Sequence, residues 1–237
     1  MEISLINYYP KLNSKNNSNH SIEYILKPLK ASLNSENNNI HTIDVESLDI
    51  SPCLGCSHDP FFQPKDFCQQ VDDMNNLYPK LRNSDLWIFN ISVNSHIIPN
   101  QLVNFLDRLE PLFDKEIDNF DEFNFPENHK KNGSVFLIAT SEYYDKSIFN
   151  HIIQEIQTIA FVFNRNYLGQ FVRPHLESFV QLNLLKNEKN FENNISKISG
   201  LLLQHSPIRN GILSEIELDV INKKDYDNQF VSLINAL

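Results

Sequence analysis

Short runs of apolar residues alternate along this chain with longer stretches of helical periodicity. Ile3 to Ile6 is a short strand-type run that gives way to a loop signal at Pro10. Residues 11–19 are polar and read as a loop. Ile22, Ile25, Leu26, Leu29 and Leu33 then recur at helical spacing, with Pro28 inside the stripe as an expected kink or interruption. Ile40 to Val45 alternates as a strand. Pro52 to Cys68 reads as a long excursion, and Val71 to Leu81 carries a weak helical stripe. Leu86 to Ile91 is a continuous apolar run, the mark of a strand buried on both faces. Pro99 suits a first helical turn, and Leu102, Phe105, Leu106 and Leu109 share one helix face. Residues 114–132 form an acidic connection dotted with Phe120, Phe123 and Phe125. Ser134 to Ala139 is another buried-type strand. Phe149, Ile152, Ile153, Ile156, Ile159, Ala160 and Phe163 make the cleanest helical stripe. Tyr167 to Val172 reads as a fifth strand and Ile195 to Leu203 as a last helix.

The order β-α-β-α-β-α-β-α-β-α predicts an α/β fold, a parallel sheet with helices on both faces. Five strands is the flavodoxin-like count: a three-layer sandwich with strand order 2-1-3-4-5 as the default. In such sheets a ligand sits beyond the carboxyl ends of the strands, at the point where the strand order reverses. The candidate site is therefore built from the loops after Asn7, Ile91 and Thr140. The whole chain, 1–237, reads as one domain with an excursion at 52–70, the connection at 114–132 and a tail from about 206.

Composition narrows the functions. The chain has 237 residues, 41% apolar, with a net charge of −10. The mean hydropathy is −0.36 and the pI about 5.2. No apolar run approaches the roughly 18 residues a bilayer span needs, and the N-terminus lacks a basic, cleavable leader pattern. The acidic balance argues against a phosphate-backbone partner, so no nucleic acid and no membrane are expected. Three cysteines argue against a disulfide framework and for a cytoplasmic home. The five glycines form neither G-x-G-x-x-G nor a P-loop, and G-x-S-x-G is missing too.

The first loop, Asn7 to Ser21, joins a strand to a helix N-terminus, a ready anion site or an ordinary capped loop with Asn19 or Ser21 at the cap. The second loop, Ile91 to Gln101, and the third, Ala139 to Tyr144, carry groups able to address a planar heterocycle or to serve as turn chemistry. Cys53-x-x-Cys56 has metal-ligand spacing. With Cys68 and His58 or Asp59 it could hold zinc or an incomplete cluster, act as a redox pair, or be three free thiols. Asp72-Asp73 reads as a helix cap or start. The eight histidines fall into no ligand spacing.

Four blocks carry a resemblance. Pro52-Cys53-Leu54-Gly55-Cys56 is followed by Cys68 and then Asp72-Asp73-Met74. Asn100-Gln101-Leu102 leads to Phe105-Leu106-Asp107-Arg108-Leu109. Pro10-Lys11 and Asn19-His20 stand in the first loop. In order and spacing the chain resembles the NAD(P)H-dependent FMN reductase, or multimeric flavodoxin, family, which includes iron–sulfur flavoproteins, over roughly residues 1–175. The resemblance implies FMN at the three loops. Tyr9, Lys11, Asn19, His20 and Ser21 would face its phosphate. Ser92, Val93, Asn94, Ser95 and His96 would border the isoalloxazine, and Ser141, Glu142 and Tyr143 would cover the far side. It also implies NAD(P)H as hydride donor, a small-molecule electron acceptor and a homodimer or tetramer. The flavin carries the redox chemistry, so no side chain is assigned as catalytic. The chain departs from the family in all three loops: Tyr8-Tyr9 replaces Gly-Ser, and the proline, aromatic and glycine of the second loop are gone. The alternative is a flavodoxin-fold protein that has lost FMN and serves as a binding or assembly subunit.

Overall fold

The computed structural model describes residues 1–9, 18–34, 37–56, 68–93, 95, 97–112, 132–176, 180, 189–208, 223–224 and 226–228. Five strands form one sheet: β1 Glu2–Tyr8, β2 Asn39–Asp44, β3 Leu86–Ser92, β4 Ser134–Thr140 and β5 Asn166–Arg173. Their spatial order is β2-β1-β3-β4-β5, and every pair is parallel. The expected α/β topology is the observed one. The acidic connection with Phe120, Phe123 and Phe125, and the middle of the 52–70 excursion with His58 and Asp59, lie outside the described residues.

Burial follows strand position. The central strands β3 and β4 are buried along nearly their whole length, because helices cover both of their faces. Edge strand β2 is mostly exposed or half-buried. Between Val135 and Leu137 of β4, strand β5 advances by three residues rather than two, a bulge that places Gly169 at φ +122. The outer side of β5 is met by the chain after the last helix, where the Ile208 N–H donates to the Leu168 carbonyl at 2.7 Å.

Helices α1 Ser18–Asn34 and α5 Lys189–Leu203 lie on one face; α2 Met74–Asn83, α3 Asn100–Asp107 and α4 Asn150–Val162 lie on the other. On the first face Ile22, Ile25, Leu26, Leu29 and Leu33 bury against Ile3, Leu5, Leu86 and Ile88. Each such side chain contributes about 1.5–3 kcal/mol when fully buried. That sum explains why α1 continues through Pro28 instead of breaking there. A proline costs roughly 3 kcal/mol inside a helix, and tertiary burial of the stripe outweighs it. On the second face Trp87, Phe89, Val135 and Leu137 pack against Tyr78, Phe105, Ile152 and Ile156.

Candidate functional site

The chain leaves β1 toward the face of α1 and leaves β3 toward the face of α3. Adjacent strands whose crossovers part to opposite faces leave a crevice at their carboxyl ends. The last residues of β1, β3 and β4, Tyr8, Ser92 and Thr140, border it.

In the first loop, Tyr8 points into the core under α2–α4, and Tyr9 packs against the opposite cluster under α1. The Tyr9 hydroxyl donates to Asn7 Oδ1 at 3.2 Å. Asn90 Nδ2 donates to the same oxygen at 3.0 Å. This ties the ends of β1 and β3 together through a buried amide pair. Burial pushes the Tyr8 phenol up to about 12, with Glu46 adding to the shift through its charge and a hydrogen bond. Burial also raises the Tyr9 phenol, followed by the charges of Glu23 and Asp44. Both hydroxyls therefore stay protonated, and the end of β1 sits in an acidic field. Helix α1 begins at Ser18, so Asn19, His20 and Ser21 fall in its first turn rather than at a cap. Lys11 lies outside the described residues.

In the second loop the Val93 N–H donates to the Thr140 carbonyl at 2.7 Å and lengthens the β3–β4 pairing. Its side chain is buried beneath the loop. The Ser95 hydroxyl donates to the Ile97 carbonyl at 2.8 Å and accepts from the Ile97 N–H at 3.2 Å, which closes a tight turn. That turn holds Ile97 out in solvent at 76% exposure. Ser92 is half-buried at the strand end; Asn94 and His96 lie outside the described residues.

The third loop is held by side-chain and backbone bonds. Ser141 is buried and its Oγ accepts from the Tyr143 N–H at 3.1 Å. Its backbone N–H donates to the Arg173 carbonyl, and its carbonyl accepts from the Leu176 N–H, both at 3.0 Å. Glu142 is exposed and Tyr143 half-exposed, so their side chains are presented outward. Residues that the sequence reading missed stand behind them. Tyr144 stacks on the buried His175, with ring centres 5.4 Å apart and planes 18° apart. Tyr226 of the tail leans on both rings and donates its hydroxyl to the Glu142 carbonyl at 2.7 Å. No local pattern marks His175, which takes φ +42 and reaches the loop through the sheet.

The blocks after β2 and before α2 form a second structured region. Asp72 receives both Arg108 Nη1 at 2.6 Å and Nη2 at 3.0 Å, and both side chains are almost fully buried. Its carboxyl also accepts the N–H groups of Ser51 and Met74. Burial raises the Asp72 carboxyl, but the Arg108 bonds and those N–H donors more than reverse this and hold it below its usual value. Asp73 Oδ2 accepts from the Asp49 N–H at 2.8 Å. The pair read as a helix start thus also clamps the base of the Cys53–Cys56 segment onto α3. Gln101 and Asn104 of α3 add bonds to the Leu48 and Ile50 carbonyls. Of the residues that carry the resemblance, Asp72-Asp73, Gln101 and Arg108 are, in this structure, parts of one clamp.

The family model for NADPH-dependent FMN reductase matches residues 5–146, more than half of the chain. The chain belongs to this family. The matched span of this FMN reductase family member begins in β1 and ends just past the third loop, so it contains all three loops of the crevice. Solved structures agree on the fold. A candidate quinone reductase from Klebsiella pneumoniae is 14% identical, with 88% of this chain and 87% of that one covered at a TM-score of 0.56. An azoreductase from Bacillus anthracis str. Sterne is 12% identical, covering 84% and 99% at 0.53. An NADH:FMN oxidoreductase in its apo form is 14% identical, covering 89% and 92% at 0.50. No curated protein matches the sequence. Among the described residues no helix is long and apolar enough to cross a membrane.

The donor set fits the ring part of a flavin in kind. Ser92 supplies a hydroxyl, the second and third loops supply turn backbone, and Tyr143 supplies a half-exposed aromatic face. These groups are uncharged, as suits a neutral heterocycle that needs hydrogen bonds and an apolar wall, with the exposed Glu142 beside them. The described glycines Gly55, Gly133, Gly169 and Gly200 all lie away from the three loops, so close backbone approach there is left to residues with side chains.

Proposed function

We propose that this member of the FMN reductase family is an FMN-dependent oxidoreductase that takes hydride from NADH or NADPH and reduces a small acceptor such as a quinone or another flavin. The observation that carries the reading is the family match over all three loops at the reversal of strand order. Tyr9, Lys11, Asn19, His20 and Ser21 would hold the phosphate end. Ser92, Val93, Asn94, Ser95 and His96 would border the ring, and Ser141, Glu142 and Tyr143 its far side. FMN, when bound, supplies two-electron acceptance and return at that edge. The chain's own share is binding and shielding. The Ser141 and Ser95 turns hold the loops in shape, and the Tyr144–His175–Tyr226 cluster backs the third loop against collapse. A soluble, cytoplasmic homodimer or tetramer is part of the same proposal, and light scattering on purified protein checks the assembly.

The deciding experiment is a visible absorbance spectrum of protein incubated with excess FMN and then desalted. Retained flavin bands that bleach with NADH or NADPH support the proposal. A colourless protein that refuses FMN overturns it. One observation favours the second reading, a scaffold turned to a binding or assembly role. The negative charges of Glu23, Asp44 and Glu46 act on Tyr8 and Tyr9, where a phosphate would need the opposite field. The FMN titration separates the two: the enzyme reading retains FMN after desalting, and the scaffold reading retains none.

A further inference from the structure

We propose that Cys53 and Cys56 form a thiol–disulfide exchange site that reacts with low-molecular-weight disulfides, apart from the crevice at the strand ends. Both sulfurs sit on half-buried residues at the mouth of the 52–70 excursion. The Gly55 N–H donates to Cys53 Sγ at 3.4 Å. Gly55 reaches that position at φ +64, a conformation open to glycine and strained for other residues. A backbone N–H aimed at a sulfur stabilises the negative charge that builds there as a sulfur–sulfur bond forms or breaks.

The segment is also held at its base, which keeps the pair presented. Ser51 is bonded through its carbonyl to Arg108 Nη1 at 2.9 Å and through its N–H to Asp72 at 3.2 Å. The Pro52 carbonyl accepts from Gln70 Nε2 at 3.0 Å. Leu54, between the two cysteines, is 72% exposed.

Cys68 stands in a different setting. It is half-buried and packs against the core under α2–α4. Among the described residues no three of His, Cys, Asp or Glu gather as a metal site. The Gly55 N–H marks Cys53 as the attacking thiol of the pair.

The chemistry balances as an exchange. The Cys53 thiolate attacks one sulfur of a disulfide RSSR, the S–S bond breaks and one RS⁻ leaves. The Cys56 thiolate then attacks Cys53 Sγ, and the second RS⁻ leaves. The protein loses two electrons, RSSR gains them, and the two thiol protons of the cysteines end on the two RSH.

The test uses the full chain in graded mixtures of oxidised and reduced glutathione, quenched by alkylation and read by peptide mass spectrometry. The expected product is a Cys53–Cys56 disulfide with Cys68 still alkylated. Cys56→Ser should then trap glutathione on Cys53, about tenfold more than Cys53→Ser traps on Cys56. Gly55→Ala should slow formation of the bond while circular dichroism shows the fold retained. A disulfide that uses Cys68, a pair that stays reduced throughout, or stoichiometric zinc on the purified protein would each overturn the proposal. All of these readouts are independent of flavin, so failure of the flavin reading and failure of this one are distinguishable.

Discussion

The two ends of the sheet are built on opposite plans. At the amino ends of the strands the chain is sewn shut. The Asp85 N–H donates to the Glu2 carbonyl, the Glu2 N–H to the Asp85 carboxylate, and the Ser134 N–H to the Asp85 carbonyl, all at 2.8–2.9 Å. Arg165 lies 3.8 Å over the Trp87 ring and caps the Ser84 carbonyl at 3.0 Å. Trp87 Nε1 donates to the Leu81 carbonyl at 3.1 Å. At the carboxyl ends the strands run out into hydroxyl-rich turns, with Ile97 and Tyr143 left in solvent. Among the described residues the amino ends are closed by backbone and charged-group bonds, and the carboxyl ends carry the exposed apolar and aromatic groups of the loops.

The sharpest break of that contrast is at Gly133. It sits at φ +111, and a Cβ there would lie 2.3 Å from the Asp85 carbonyl oxygen. Gly133→Ala should destabilise by about 4 kcal/mol or more, or prevent folding, as read by urea unfolding. Asp72→Ala comes next, because it strands a buried guanidinium; about 3–5 kcal/mol is expected. Its pH dependence has a definite sign. The Asp72 carboxyl is held below its ordinary value in the folded state. The stabilisation is therefore complete above about pH 4 and drains away as pH falls through the lowered value. The gap between wild type and Asp72→Ala should close in acid, which acid-titrated denaturation midpoints will show. Arg165→Met should cost about 2–3 kcal/mol through the lost cation–π contact and the uncapped carbonyls.

The other end should respond in the opposite way. Tyr143→Ala should change stability by less than about 0.5 kcal/mol, because its ring is half-exposed. It should weaken FMN about two- to tenfold in a fluorescence titration, the value of one aromatic contact. A large stability loss there, or unchanged flavin affinity, would blunt the contrast between the two ends.

Most of this architecture is legible in the chain. The runs at Leu86–Ile91 and Ser134–Ala139 are apolar on both faces, so they had to be central strands, and the alternation at Ile40–Val45 marks an edge. The three loops follow from strand order alone. Pro28 reads as a kink or an interruption, and the helix is not interrupted there, because local propensity says nothing of what the other side of a helix buries. Asp72-Asp73 reads as a cap locally, while its partner Arg108 lies 36 residues away and meets it only through the packing of α3.

Periodicity, turn residues and composition are local or additive quantities. By themselves they determined the element order and the parallel sheet, and they carry the expectation of a ligand at the carboxyl edge. The backing of the third loop by His175 and Tyr226 and the clamp under Cys53 were decided only in the tertiary structure. Each depends on side chains from distant segments meeting across the sheet or on one helix, and a meeting of that kind leaves no spacing in the sequence to read.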